Sequence, residues 1–211
     1  MNYLIPSSLC LALTLLVLNP APANAAEAEG ADGWIRLFDG ESLDGWKTTQ
    51  ENPKSWKVED GAIVAFGPRS HLFYLGGGPY KNFEFKADVM TEPGSNSGIF
   101  LHTQYQDEGW PTHGYEVQIN NTHRDPVKTG SLYNTVKLFE SAAQDKKWWT
   151  QKITVQDNHV TVEIDGKQVV DYPEPADKAG PVKLSQGTFA LQAHDPDSVV
   201  HFKNIYLKPL P

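Results

Sequence analysis

The sequence predicts an all-β fold, a two-sheet sandwich or jelly roll in one domain. Turn signals recur about every eight to fifteen residues from Trp34 onward, with short strand-like runs between them. No amphipathic helical period runs longer than two turns. The composition, 39% hydrophobic and 11% aromatic over 211 residues, is ample for one packed core and argues against disorder. Many short strands with almost no helix form sandwiches or jelly rolls.

Taken in order, Trp34–Phe38 ends at Asp39-Gly40, and Trp56–Val58 and Ala62–Phe66 flank Asp60-Gly61. Leu72–Leu75 runs into Gly76-Gly77-Gly78-Pro79. Phe83–Thr91 alternates: Phe83, Phe85, Ala87 and Val89 take one parity, Glu84, Lys86 and Asp88 the other, and Pro93-Gly94 follows. Gly98–Thr103 is apolar on both parities until His102, which predicts a central strand whose polar end reaches a rim. In Tyr115–Asn120 an apolar row of Tyr115, Val117 and Ile119 is backed by Glu116, Gln118 and Asn120. Trp148–Gln156 and Val160–Ile164 flank Asp157-Asn158, and Gln168–Tyr172 follows through Asp165-Gly166, which suits the positive φ values of a type I′ hairpin. Gly187–Ala193 puts Phe189, Leu191 and Ala193 on one side and Gln192 on the side of His194. Val199–Leu207 closes the series after Asp195-Pro196-Asp197, which reads as a turn although such residues can also ligate calcium.

The formal charge of -8, without a Lys/Arg cluster, argues against a nucleic-acid surface, and no basic amphipathic helix suggests membrane docking. Residues 1–25 contain no charged side chain. Leu9 to Leu18 is an apolar run too short for a comfortable membrane span but suited to a signal peptide, and Ala23-Asn24-Ala25 fits small-x-small cleavage. Cleavage is expected after Ala25, with a flexible leader at 26–33, a single domain at 34–211, and a periplasmic or secreted location. Cys10 is the only cysteine and lies in the signal segment. The mature protein is therefore expected to use no disulfide, zinc-thiolate site or cysteine nucleophile. The sequence specifies no oligomeric state.

A curved jelly roll turns one sheet face into a groove. Polar side chains that could meet there are Asp88, His102, Glu116, Gln118, Gln192 and His194. Two-carboxylate glycosidases need acids about 5–5.5 Å apart for retention or about 6.5–9.5 Å for inversion. Where jelly-roll glucanases carry Glu-x-Asp-x-Glu, this chain has Glu116-x-Gln118-x-Asn120, and amides do not exchange protons near neutral pH. Trp110 lies in the polar loop "YQDEGWPTHG" just before the Glu116 strand, where a rim position suits it better than the core. His102, Glu116 and His194 are types that can hold a divalent metal, although no tight ligand spacing exists. No nucleophile elbow surrounds Ser97 or Ser131. Asn120-Asn121-Thr122 matches a glycosylation sequon.

The blocks "WIRLFDGESLDGW", "WKVEDGAIVA", "NFEFKADV", "NSGIFLH", "HGYEVQI", "TGSLYN" and "LQAHDPDSVVHFKNIYLK", in this order, resemble the DUF1080 family of 3-keto-disaccharide hydrolases, or 3-keto-glucoside 1,2-lyase/hydratase domains. The resemblance covers about Trp34 to Leu207. It implies a concanavalin A-like lectin/glucanase sandwich, an extracytoplasmic setting and a small carbohydrate substrate. It also implies cleavage by removal of the acidic C2 proton beside the C3 ketone, loss of the aglycone from C1, and hydration. On this reading Glu116 and His194 are the acid and base, in open order. His102, Tyr133, Gln118 and Lys203 orient the sugar or stabilise charge, Asp88 positions a neighbour, and Trp110 and Gln192 complete the substrate contacts. His102 and Lys203 stand where the family pattern has Arg, and Lys lacks the bidentate fork of Arg. The competing readings are a non-catalytic carbohydrate-binding module and a conventional glycoside hydrolase pairing Asp88 with Glu116.

Overall fold

The computed structural model describes Met1 and residues 32–211, and two antiparallel sheets pack face to face over one core. The expected signal peptide with Cys10, its cleavage site at Ala25 and most of the 26–33 leader lie outside the described residues. The larger sheet contains β1 (Ile35–Arg36), β3 (Trp56–Glu59), β4 (Ala62–Ala65), β6 (Phe83–Thr91), β9 (Trp149–Gln156), β10 (His159–Ile164), β11 (Lys167–Pro173) and β13 (Val200–Pro209). Its order is β11-β10-β9-β6-β13-β4-β3, with β1 on β13. The smaller sheet contains β2 (Trp46–Thr48), β5 (Ser70–Tyr74), β7 (Ser97–Thr103), β8 (Tyr115–Ile119) and β12 (Thr188–Ala193), in the order β2-β5-β12-β7-β8. Among the described residues no helix is long and apolar enough to cross a membrane.

Alternation decides which side chains are inside. In β6, Phe83, Phe85, Ala87 and Val89 are buried, and the polar residues between them are only partly so. Facing them from β12, Phe189 meets Phe83 edge-on at 4.8 Å between centroids and stacks on Phe85 at 4.9 Å. Such aromatic contacts add about 0.5–1.5 kcal/mol to the burial term itself. Leu72, Ile99, Leu101, Val117, Ile119 and Leu191 complete the smaller sheet's inner face.

One strand has no counterpart in the sequence reading. β2 has only three residues, too few for a period of two to show, and its position comes from pairing Trp46–Thr48 with Tyr74–Leu72. The Trp46 indole N–H also donates to the Leu37 carbonyl at 2.7 Å.

The outer face of the smaller sheet becomes a groove because irregular segments bank up around it. Residues 129–133 run beside β8, with Gln118 N–H donating to the Ser131 carbonyl at 2.9 Å and Tyr133 N–H to the Glu116 carbonyl at 2.9 Å. The 104–114 loop closes the opposite side, tied down where the Gln50 and Glu51 amides donate to the Asp107 carbonyl. Consequently β7 is buried on both faces, as expected of a central strand. Asn120 is buried too, its side-chain N–H groups held by the carbonyls of Asp125 and Val127, so the sequon is inaccessible in the folded chain.

Candidate active site

A cavity of about 460 Å³ lies over the outer face of the smaller sheet. Strands β8, β7 and β12 form its floor with Glu116, Gln118, Phe100 and Gln192. His194, one residue beyond β12, sits at its edge, while Trp110 and Tyr133 come from the two flanking segments. Six of the expected residues therefore share one cavity: Glu116, Gln118, Gln192, His194, Trp110 and Tyr133.

Glu116 is the unusual group. Burial pushes its carboxyl up to about 8, and the charge of Asp125, which lines the same cavity, acts in the same direction. A hydrogen bond from Gln192 Nε2 to Glu116 Oε1 at 3.0 Å favours the anion, but desolvation outweighs it. At pH 7 this carboxyl is mostly protonated. Gly98 on β7 makes room for it, since a Cβ there would lie 2.3 Å from Glu116 Oε1 and 2.8 Å from its Cγ.

His194 is held differently. Its Nδ1 lies 2.7 Å from Asp195 Oδ2. Burial opposes ionisation of Asp195, but hydrogen bonds from His194, Ser198 Oγ and the Asp197 amide outweigh it and keep the carboxyl below its usual range. In the neutral ring, a carboxylate partner at Nδ1 selects the tautomer that carries its proton there and its lone pair on Nε2. The imidazole packs 5.4 Å from the Trp110 ring, centroid to centroid.

Four further residues complete the network and were missed as site residues in the sequence: Asn96, His123, Asp125 and Asp195. Gln118 Nε2 donates to Asn96 Oδ1 at 3.0 Å, and the Asn96 carboxamide lies 3.4 Å from His123 Nδ1. The Asp125 amide N–H donates to the same nitrogen at 3.1 Å, which places the His123 proton on Nε2. That Nε2 is 3.9 Å from Asp195 Oδ2, so one carboxylate lies between two imidazoles whose centroids are 5.7 Å apart. Asp195 was read in the sequence as part of a turn whose residues can also ligate calcium, and it does form that turn. His123 and Asn96 carried no strand pattern to mark them.

Three expected site residues lie elsewhere. Asp88 is on β6 of the larger sheet, where its carboxylate accepts from Thr150 Oγ1 and Asn204 Nδ2, each at 2.7 Å. Lys203, beside it on β13, places Nζ 4.0 Å from the centroid of the Trp148 ring. Both belong to the opposite sheet from the cavity, so neither meets Glu116. His102 is on the right strand but turned inward. A bulge sets Thr188 opposite Thr103 and Ala190 opposite Phe100, and His102 takes φ of 54°. Its Nε2 bonds the Lys81 carbonyl at 2.8 Å, its Nδ1 accepts from the Ser185 amide at 3.1 Å, and its ring packs edge-on against Phe83. This neutral, doubly bonded imidazole is a packing residue, and burial lowers its pKa.

These placements remove two sequence expectations. The Asp88–Glu116 carboxylate pair does not form. His102, Glu116 and His194 do not converge, and among the described residues no cluster of three or more His, Cys, Asp or Glu is placed to hold a metal ion.

Comparison with known proteins bears on the fold and the family. A 3-keto-disaccharide hydrolase from Bacteroides thetaiotaomicron is 28% identical over 171 residues, covering 67% of this chain and 59% of that protein. The chain thus spans about three fifths of that relative's length. A crystal structure of a candidate glycosyl hydrolase from Parabacteroides distasonis superposes with a TM-score of 0.74 at 26% identity, covering 88% of this chain and 97% of that one. A carbohydrate binding module from Bacillus subtilis superposes with a TM-score of 0.54 at 15% identity, covering 78% and 95%, a likeness of fold alone. The fold is therefore the jelly-roll sandwich shared by such hydrolases, modules and lectins. The 3-keto-alpha-glucoside-1,2-lyase-like domain family matches residues 33–208, and the chain belongs to that family.

Proposed function

We propose that the cavity cleaves 3-keto-glucosides by elimination and hydration, with His194 as the base and Glu116 as the acid. The observation that carries this order is the contrast between the two groups. Burial keeps Glu116 protonated near neutral pH, while Asp195 fixes His194 with a free lone pair at Nε2. A buried carboxyl that keeps its proton can act as the acid, and an imidazole whose tautomer is set by a carboxylate partner can act as the base.

His194 Nε2 takes the C2 proton, made acidic by the C3 ketone, and the electron pair moves onto the ketone oxygen as an enediolate. The pair then returns to form the C1–C2 double bond as the C1–O bond breaks, and Glu116 protonates the departing oxygen. Water adds at C1 in the second stage. Glu116, now a carboxylate, accepts a proton from that water, and His194 returns its proton to C2, which regenerates both groups and yields 3-keto-glucose. The developing enediolate needs donors. The second N–H of Gln118 and the Tyr133 hydroxyl supply them, and burial raises the Tyr133 pKa, so that hydroxyl stays protonated. The apolar run at Leu9–Leu18 and Ala23-Asn24-Ala25 support an extracytoplasmic setting for this chemistry.

A second reading follows from Asp125, which gives the cavity another carboxylate. Paired with Glu116 it would hydrolyse unoxidised glucosides. The two readings separate when turnover of a 3-keto-glucoside is compared with that of its unoxidised parent. Cleavage of only the keto form supports elimination, equal turnover favours the carboxylate pair, and binding without turnover indicates a carbohydrate-binding module.

A further inference from the structure

Four buried polar atoms without a hydrogen-bond partner gather around Trp110: Arg69 Nε, both ring nitrogens of His71, and Gln192 Oε1. They are half of the eight such side-chain atoms among the described residues. His71 and Gln192 are 0% and 1% exposed and register against each other on β5 and β12. The Trp110 ring lies edge-on to His71 at 5.5 Å and under the Arg69 guanidinium at 4.9 Å, yet it is itself 42% exposed. Buried donors and acceptors are nearly always paired, so such a cluster calls for an ordered water, a ligand or a functional reason.

We propose that Arg69, His71 and Gln192 form a covered sugar subsite that continues the cavity, with Trp110 as its cover and the leaving sugar of a disaccharide as its occupant. This rests on the 3-keto-glucoside reading of the adjoining cavity. Continuity comes from Phe100, Gln192 and Trp110, which line the main cavity, while the Phe100 ring also abuts His71 at 5.4 Å.

The chemistry selects a neutral, hydroxyl-bearing ligand. Arg69 Nη2 is neutralised by Glu51 Oε1 at 2.6 Å. Burial, with the Arg69 charge adding to it, pushes the His71 pKa down to about 3 and keeps the ring neutral. What remains is two N–H donors, from Arg69 and His71, and two acceptors, from His71 and Gln192. Hydroxyls are both donor and acceptor and match such a set. Phe73, Phe100 and Ala190 form an apolar patch beside it for the C–H face of a ring.

The loop that carries the cover is anchored through its backbone, apart from the Trp110 ring. Glu51 Oε2 accepts from the Gly109 amide at 2.9 Å, which anchors the loop before its tip. Beyond that point the Trp110 carbonyl and the Thr112 amide bond to the Gln106 side chain of the same loop.

The test compares a 3-keto-disaccharide with methyl 3-keto-glucoside, in the native protein and in His71→Phe, which keeps the ring and deletes both nitrogens. The ratio of kcat/KM for disaccharide over methyl glucoside is expected to fall about tenfold, the size of losing one or two hydrogen bonds. In the native protein the ring ¹⁵N signals of His71 are expected to move with the disaccharide and to stay in place with the methyl glucoside. An unchanged ratio, or His71 nitrogens unmoved by saturating disaccharide, overturns the subsite. If His71→Phe does not fold, the native ¹⁵N titration decides alone. If the native protein turns over neither compound, the cleavage reading fails, and the same titration with an unoxidised disaccharide still tests the subsite.

Discussion

Replacing Glu116 by Gln is expected to abolish cleavage and to stabilise the fold, increasingly so as pH rises. Burial raises the carboxyl from 4.5 to about 8. Between those values the unfolded chain has released this proton and the native chain still holds it. Because the native state then binds more protons, stability falls with pH across that window and levels off above it. Each pKa unit corresponds to about 1.4 kcal/mol. The carboxamide of Glu116→Gln has no proton to lose, and its carbonyl can still accept the bond from Gln192. Other titrating groups are common to both proteins and cancel in the difference. The stability gap between Glu116→Gln and the native protein should therefore widen by about 2–3 kcal/mol from pH 5 to pH 8, allowing for the part of the side chain that faces the solvent-filled cavity. Urea unfolding at pH 5, 6.5 and 8 measures it. A gap that stays flat within about 0.5 kcal/mol would mean that Glu116 titrates normally, and the acid role derived from its burial would fall with it.

The same carboxyl should limit activity on the alkaline side. The kcat/KM profile for a 3-keto-glucoside is expected to decline above pH about 8, roughly tenfold per unit, and to lose that limb only if another group is the acid. Gly98→Ala drives a Cβ to within 2.3 Å of Glu116 Oε1, so it should displace the carboxyl and cost tenfold or more in kcat, with about 1–3 kcal/mol lost in urea unfolding from overpacking. Asp88→Asn lies on the far sheet and should leave kcat/KM within about twofold of native, with a stability cost near 1 kcal/mol from its bonds to Thr150 and Asn204. A large loss of activity in Asp88→Asn would contradict the placement of the site on the smaller sheet.

Much of the sandwich was legible because its strands alternate strictly. Phe83–Thr91 has the same ends in the sequence reading and in the structure, and the side assigned to Phe83, Phe85, Ala87 and Val89 is the buried one. Glu116, Gln118 and Gln192 were legible for the same reason: parity puts them opposite the apolar row. Parity does not say which sheet a strand joins. Asp88 shares the outward, polar parity of Glu116, but β6 pairs with β9 and β13 whereas β8 pairs with β7, and those pairings are set by contacts distant in sequence. His102 escaped for a local reason, since a single bulge reverses the side on which it falls. His123 and Asp195 come together from separate loops, and only the folded chain brings that pair within 3.9 Å.

The division of labour between His194 and Glu116 is tested most directly by following solvent deuterium into C2 of a 3-keto-glucoside, alongside release of the aglycone, in His194→Gln and Glu116→Gln. Glu116→Gln is expected to retain C2 exchange while losing aglycone release, and His194→Gln to lose both. Exchange that survives in His194→Gln but disappears in Glu116→Gln would reverse the assignment and contradict the roles derived from Asp195 and from the burial of Glu116.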